Sequence, residues 1–128
     1  MPVVGMGVDF VGVERIAELL SRHEDRFLER CFTPAEQEYA DANPKRRTEH
    51  LAARFAAKEA VLKALGTGWS GGIGWTDVEV TRNDAGRPGV SLTGRAAEIA
   101  RERGITSWHL SLSHADGFAL ASAVAEAP

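Results

Sequence analysis

The sequence predicts an α+β fold in which an antiparallel sheet packs against one long buried helix, and three observations carry that prediction. Strand-like and helix-like segments are mixed without a regular βαβ rhythm, which disfavours a doubly wound sheet. Near the end, "SWHLSLSHADGFALASAV" gives two alternating runs around His114 to Gly117, the pattern of an antiparallel hairpin. In the middle, a segment from about Thr48 to Leu65 carries apolar or small residues on every side when projected at about 100° per residue. A helix apolar all round is buried.

Taken in order, Val3 to Val8 is a β-branched run that ends at Asp9, and Val13 to about Arg22 reads as a helix, with a further turn open through Phe27. In "FTPAEQEYADANP" Thr33 takes the N-cap position, Pro34 is the first helical residue and Glu36 follows three residues on, together a helix start; the helix should stop before Pro44. The buried helix follows, with Gly66 expected just past its end. "GTGWSGGIGW", Gly66 to Trp75, is glycine-rich and is the one segment expected to be mobile. "DVEVTR" then alternates as a strand, "NDAGRP" is a turn, "GVSL" is the returning strand, and Thr93 can cap a helix through Arg103.

The chain has 128 residues, of which 44% are hydrophobic and 26% charged, the profile of a soluble globular protein forming one domain over 1–128. A net charge of −3 argues against general nucleic-acid binding, and no nucleic-acid motif is visible. Cys31 is the only cysteine, so neither an intrachain disulfide nor a cysteine-rich zinc site can form, and a reducing cytoplasm is the expected compartment. The opening "MPVVGMGVDFVGVERI" has glycines and an acid early and no basic leader, and is too short to span a bilayer.

Within the buried helix, "RFAAKEAVLKALGTG" holds four charges, Arg54, Lys58, Glu59 and Lys63. Charge removed from water must be paired, hydrogen-bonded or bound to a metal, and three cations against one anion do not balance. Glu59 and Lys63 are four apart and share a face with Ala52 and Ala56; the plain account is an i,i+4 pair on a partly exposed stripe. The alanines leave room for another group to approach. Lys58 falls within the Leu51, Phe55, Leu62, Leu65 stripe, where its plain account is a stem that snorkels to the surface. A positive surplus followed by Gly66-Thr67-Gly68 suits an anion such as a phosphate, because glycines let backbone come close. "GTG" lies at the C-terminal end of the helix, where the dipole repels anions, so the lysines must supply the attraction. Asp9 can be a helix-entry residue, or with Glu59 it can form a two-carboxylate site for Mg²⁺, whose shell water and substrate phosphate commonly complete.

With these residues in place, the sequence resembles the holo-acyl-carrier-protein synthase group of 4′-phosphopantetheinyl transferases. "GVDFVGVERI" looks like the first motif of that family, "FTPAE" like its second, "RFAAKEAVLKALGTG" like its central signature and "SLSHADGFALASAV" like its closing hairpin, in the family's order and over nearly the whole chain. The resemblance implies Mg-dependent transfer of 4′-phosphopantetheine from coenzyme A to a serine of apo acyl carrier protein, with release of adenosine 3′,5′-bisphosphate. It implies metal binding by Asp9 and Glu59, contact of Lys63 with the phosphate being transferred, and positions near the nucleotide for Arg54, Gly66, Thr67 and His114. The serine proton falls to Glu59 or to a water in the metal's shell. His114 also has a plain reading, a hydrogen bond to its own turn, and Asp116 is read as a turn residue.

Arg15, Leu19, Arg22 and Arg26 align on one stripe if the first helix continues, and the family uses this helix to grip an acidic helix of the carrier; the plain alternative is a solvated charged face, since Glu14, Glu18, Glu24, Asp25 and Glu29 are interspersed. One departure stands out. Gly12 sits where the family commonly has glutamate, and Phe10 replaces a more usual aliphatic. The family is typically a trimer with active sites shared between subunits, so a homotrimer is expected here, serving fatty acid biosynthesis. The rivals are a silent module that binds coenzyme A, and a structural trimer subunit whose charged helix makes only intersubunit ion pairs.

Overall fold

The structure, a computed structural model, describes residues 2–128. Strand β1 runs Val3–Gly12, helix α1 Val13–Cys31, α2 Pro34–Asp41 and α3 Arg47–Leu65; the hairpin β2 Val78–Arg82 and β3 Pro88–Leu92 follows, then α4 Gly94–Glu102, β4 Ser107–Ala115 and β5 Phe118–Glu126. β1, β5 and β4 form one antiparallel sheet in that order, and β2 pairs with β3 in a second. Single 3₁₀ turns precede α3 at Pro44–Arg46 and β2 at Trp75–Asp77.

The core is α3 lying across the inner face of the larger sheet, and small residues make the fit. Along β5 the inward side chains are Ala119, Ala121, Ala123 and Ala125, all at most 1% exposed. On β1 the inward positions include Gly5 and Gly7, where a Cβ would stand 2.0 Å from the carbonyl oxygens of Ala64 and Ala60 respectively. Neither position can hold a side chain unless helix and strand separate. The expected burial of α3 is realised: Leu51, Ala52, Ala56, Ala57, Ala60, Val61 and Leu65 are fully buried.

Several boundaries differ from the sequence expectation. β1 does not end at Asp9; it continues to Gly12, paired with β5 throughout (Asp9 opposite Ala121, Gly12 opposite Phe118), because pairing outlasts the β-branched run. α1 extends well beyond Arg22 to Cys31, broken at His23 (φ −144°, ψ 41°), and its second half is held by Phe27 and Cys31 in the core. Thr33 and Glu36 form the anticipated capping box, with Thr33 N donating to Glu36 Oε1 at 2.9 Å and Glu36 N to Thr33 Oγ1 at 3.3 Å. Gly66 is left-handed (φ 80°), and Gly66 N and Thr67 N donate to the carbonyls of Lys63 and Leu62, which closes α3. Thr93 stands at the N-cap of α4 without a side-chain bond. The β4–β5 turn consists of Asp116 (φ 53°) and Gly117 (φ 80°), a two-residue connection with both residues left-handed.

The outer face of the larger sheet is uncovered and apolar. Val4, Met6, Val8 and Phe10 of β1 and Phe118 and Leu120 of β5 are 44–72% exposed. Phe10 meets Phe118 edge to face at 5.8 Å.

Candidate active site

The four charges of α3 divide between two faces. Arg54 and Lys58 are one turn apart and turn toward α2 and β2, while Glu59 and Lys63 are one turn apart and turn toward β1. Lys58 does not snorkel. It is 0% exposed, its Nζ lies 2.7 Å from Glu36 Oε1, and it also donates to the carbonyls of Trp75 and Val78. Glu36 answers with its other oxygen, which accepts from Val80 N at 2.8 Å. Burial pulls the Lys58 pKa down and the Glu36 carboxylate opposes that pull. The apparent positive surplus of α3 is therefore partly balanced by an acid that the sequence places on another helix.

On the opposite face, Lys63 does not pair with Glu59. Its Nζ reaches across to β1, donating to Asp9 Oδ1 at 3.0 Å and to the Val8 carbonyl at 2.9 Å. The reason is the close glycine packing. A Cβ at Gly7 would stand 2.9 Å from the Lys63 Cβ, and Asp9 is the next inward residue along the strand, roughly 6–7 Å on, or about one helical turn back along α3. Glu59 lies one turn before Lys63 on the same face, so two half-buried carboxylates from facing elements flank one lysine. Lys63 is half exposed and can turn toward a ligand.

Among the described residues no group of three or more His, Cys, Asp or Glu side chains gathers. Asp9 and Glu59 are hard oxygen donors, and two carboxylates with the remaining shell supplied by water and phosphate is the manner in which Mg²⁺ is held. The donor set fits that ion and does not fit a closed zinc site.

His114 sits in β4, not in the turn, and its Nδ1 is 3.3 Å from Glu49 Oε2 in the first turn of α3. Together they line an open cleft of about 300 Å³ beside the β4–β5 turn. Asp116 is a turn residue, as expected. Gly66 faces the Arg103 guanidinium, since a Cβ there would stand 2.9 Å from Arg103 Nη1, so a cation missed in the sequence stands where the helix dipole would otherwise repel an anion. The Thr67 hydroxyl donates to the Gly68 carbonyl at 2.9 Å. The glycine segment is anchored at several points: Ser70 Oγ donates to the Thr67 carbonyl at 2.7 Å, Arg95 Nε donates to the Gly71 carbonyl at 3.2 Å, and the Trp69 and Trp75 ring centroids are 3.8 Å apart.

The stripe on α1 is only partly preserved. The break at His23 separates Arg15, Leu19 and Arg22 from Arg26, yet Leu19 and Arg26 still line one groove of about 420 Å³, with Phe27, Arg30 and Trp75. Arg22 is exposed and lines no part of it. The Arg15 guanidinium is 6.0 Å from the Phe55 ring, and Phe55, one turn of α3 before Glu59, also lies 6.1 Å from the Phe27 ring and 4.7 Å from the Trp75 ring, both of which line the groove. Cys31 closes the groove, and burial pushes its thiol up to about 11, which leaves it inert as a nucleophile.

Residues 5–123 match the model of the 4′-phosphopantetheinyl transferase superfamily. A holo-[acyl-carrier-protein] synthase of Koribacter versatilis is 47% identical over 124 residues, covering 97% of this chain and 98% of that protein. The holo-[acyl-carrier-protein] synthase of Neisseria meningitidis superposes with a TM-score of 0.87 at 34% identity, over 98% of this chain and 99% of that one. That of Helicobacter pylori, solved in complex with coenzyme A, superposes with a TM-score of 0.83 at 30% identity, over 94% and 99% of the two chains.

Proposed function

Since the chain belongs to the 4′-phosphopantetheinyl transferase superfamily, as an enzyme of its holo-[acyl-carrier-protein] synthase group, we propose that it transfers 4′-phosphopantetheine from coenzyme A to a serine of apo acyl carrier protein. The observation that carries this is Asp9 and Glu59 on facing elements with Lys63 bound to Asp9 at 3.0 Å, two acids and a half-exposed cation suited to a diphosphate and its metal.

In this reading Asp9 and Glu59 hold Mg²⁺, which when bound neutralises diphosphate charge and polarises the phosphoryl group. Lys63 turns from Asp9 to the phosphate under attack and stabilises charge on its oxygens. The serine Oγ forms a bond to the β-phosphorus, the bond from that phosphorus to the bridging oxygen breaks, and adenosine 3′,5′-bisphosphate leaves with the electron pair. Glu59 is the carboxylate at hand to accept the serine proton. Arg54, Gly66, Thr67 and His114 serve the nucleotide, with Arg103 adding positive charge beside Gly66.

The carrier docks along α1 through Arg15, Leu19, Arg22 and Arg26, and the groove between Leu19 and Arg26 supports that assignment with an apolar floor between cations. A homotrimer fits the uncovered apolar face of the β1-β5-β4 sheet, which a monomer would leave in water. The expected setting is fatty acid biosynthesis in the cytoplasm; among the described residues no helix is long and apolar enough to cross a membrane.

The test is the intact mass of an apo acyl carrier protein after incubation with the chain, coenzyme A and Mg²⁺. A gain of one phosphopantetheine is expected, with Asp9→Ala lowering the rate by about 10²-fold or more. A Glu59→Gln variant with normal turnover would remove Glu59 from both the metal and the proton.

A further inference from the structure

Arg54 is 1% exposed and, among the described residues, has no carboxylate partner; its Nε and Nη1 are buried and find no hydrogen-bond acceptor there. Instead its guanidinium carbon lies 3.9 Å from the centre of the Tyr39 ring. The same ring has the Arg82 guanidinium at 5.4 Å and the His50 ring at 5.1 Å, and His50 Nδ1 is likewise buried without a partner. The nearest acids are already engaged, Glu36 with Lys58 at 2.7 Å and Glu49 with His114 at 3.3 Å. Three cationic or protonatable groups therefore surround one aromatic ring and no free acid.

That arrangement costs the folded protein. Burial lowers the pKa of both Arg54 and His50, and Arg82 lowers each further. A carboxylate in place of Tyr39 would relieve the cost, but it would also neutralise Arg54 and compete with an incoming anion. An aromatic face holds a guanidinium by its π-electrons without neutralising it, and contact through the face leaves the in-plane N–H groups unoccupied.

We propose that Tyr39 is a positioning residue whose ring holds the Arg54 guanidinium as an uncompensated charge for a phosphate monoester. The proposal rests on the coenzyme A reading, since that ligand carries one phosphate monoester besides its diphosphate, and Arg54 faces away from the Glu59 and Lys63 side of α3. His50 is half-buried and Arg82 is exposed, so the monoester approaches the Arg54 charge on the side of these two side chains while the Tyr39 ring stays in place against the guanidinium.

The experiment compares binding and turnover of coenzyme A and of dephospho-coenzyme A, which lacks the monoester, for wild type, Tyr39→Phe and Tyr39→Leu. Tyr39→Leu is expected to raise the Kd and KM for coenzyme A by about tenfold to thirtyfold, with kcat at saturation and both constants for dephospho-coenzyme A nearly unchanged. Tyr39→Phe, which keeps the ring, should match wild type with both ligands. Equal loss in Phe and Leu variants, equal weakening of both ligands, or no weakening at all would each overturn the proposal. If Tyr39→Leu does not fold, Tyr39→Met takes its place. A wild type that binds neither ligand sinks the coenzyme A reading itself, whereas wild-type binding with an insensitive Tyr39 sinks only this assignment.

Discussion

At the scale of single residues, burial and partner decide what each charge does. Lys58 and Lys63 belong to the same helix and the same residue type, yet one is sealed against Glu36 and the other is half exposed and reaches across to Asp9. Removing one partner of a sealed pair leaves an uncompensated charge, so Glu36→Ala should cost about 3–5 kcal/mol in urea unfolding. The double variant Glu36→Met with Lys58→Met should recover most of that loss, because apolar replacement of a buried pair is often neutral. Single and double variants that are equally unstable would show that the Glu36 bond to Val80, rather than the charge pair, dominates.

At the scale of elements, the site depends on how closely β1 approaches α3. Gly7 admits the Ala60 carbonyl, and its neighbour on the same face is Asp9, so a change in strand-to-helix spacing moves an acid. Gly7→Ala should destabilise the fold by about 3 kcal/mol or more through overpacking against backbone. Any folded fraction should transfer phosphopantetheine more slowly than its thermal stability alone would explain. Normal turnover per folded molecule would mean that the acids tolerate a wider gap than the geometry implies. The second half of α1 acts similarly on the groove proposed for the carrier: its break at His23 turns Arg26 relative to Arg22, and the groove forms from what remains aligned.

At the scale of the whole molecule, the two faces of the β1-β5-β4 sheet have opposite characters. The inner face is glycine and alanine against α3, and the outer face is Val4, Met6, Val8, Phe10, Phe118 and Leu120. Met6 is the most exposed of these at 72%. Light scattering coupled to size exclusion should give three times the chain mass for wild type, and Met6→Glu should shift it toward the monomer by placing a charge in the patch that a trimer would bury. A wild type that elutes as a monomer at micromolar concentration would leave the outer face to some other occupant.

The sequence by itself determined the α+β class, the capping box at Thr33, the burial of most of α3, its end at Gly66 and the closing hairpin, because each is written in a local pattern of period, cap or turn. It also pointed to Asp9, Glu59 and Lys63, through a long central segment whose resemblance to a known family is specific. Only the tertiary structure decided the partners. The Lys58–Glu36 pair spans 22 positions of sequence, the Lys63–Asp9 pair spans 54, and the ring beneath Arg54 comes from a different helix. The length of β1 past Asp9 was equally out of local reach, since its last residues are extended by pairing with β5 rather than by their own propensity. Periodicity tells which side of a helix is buried; the elements that cover that side, and the charges they bring with them, are set only when the chain packs.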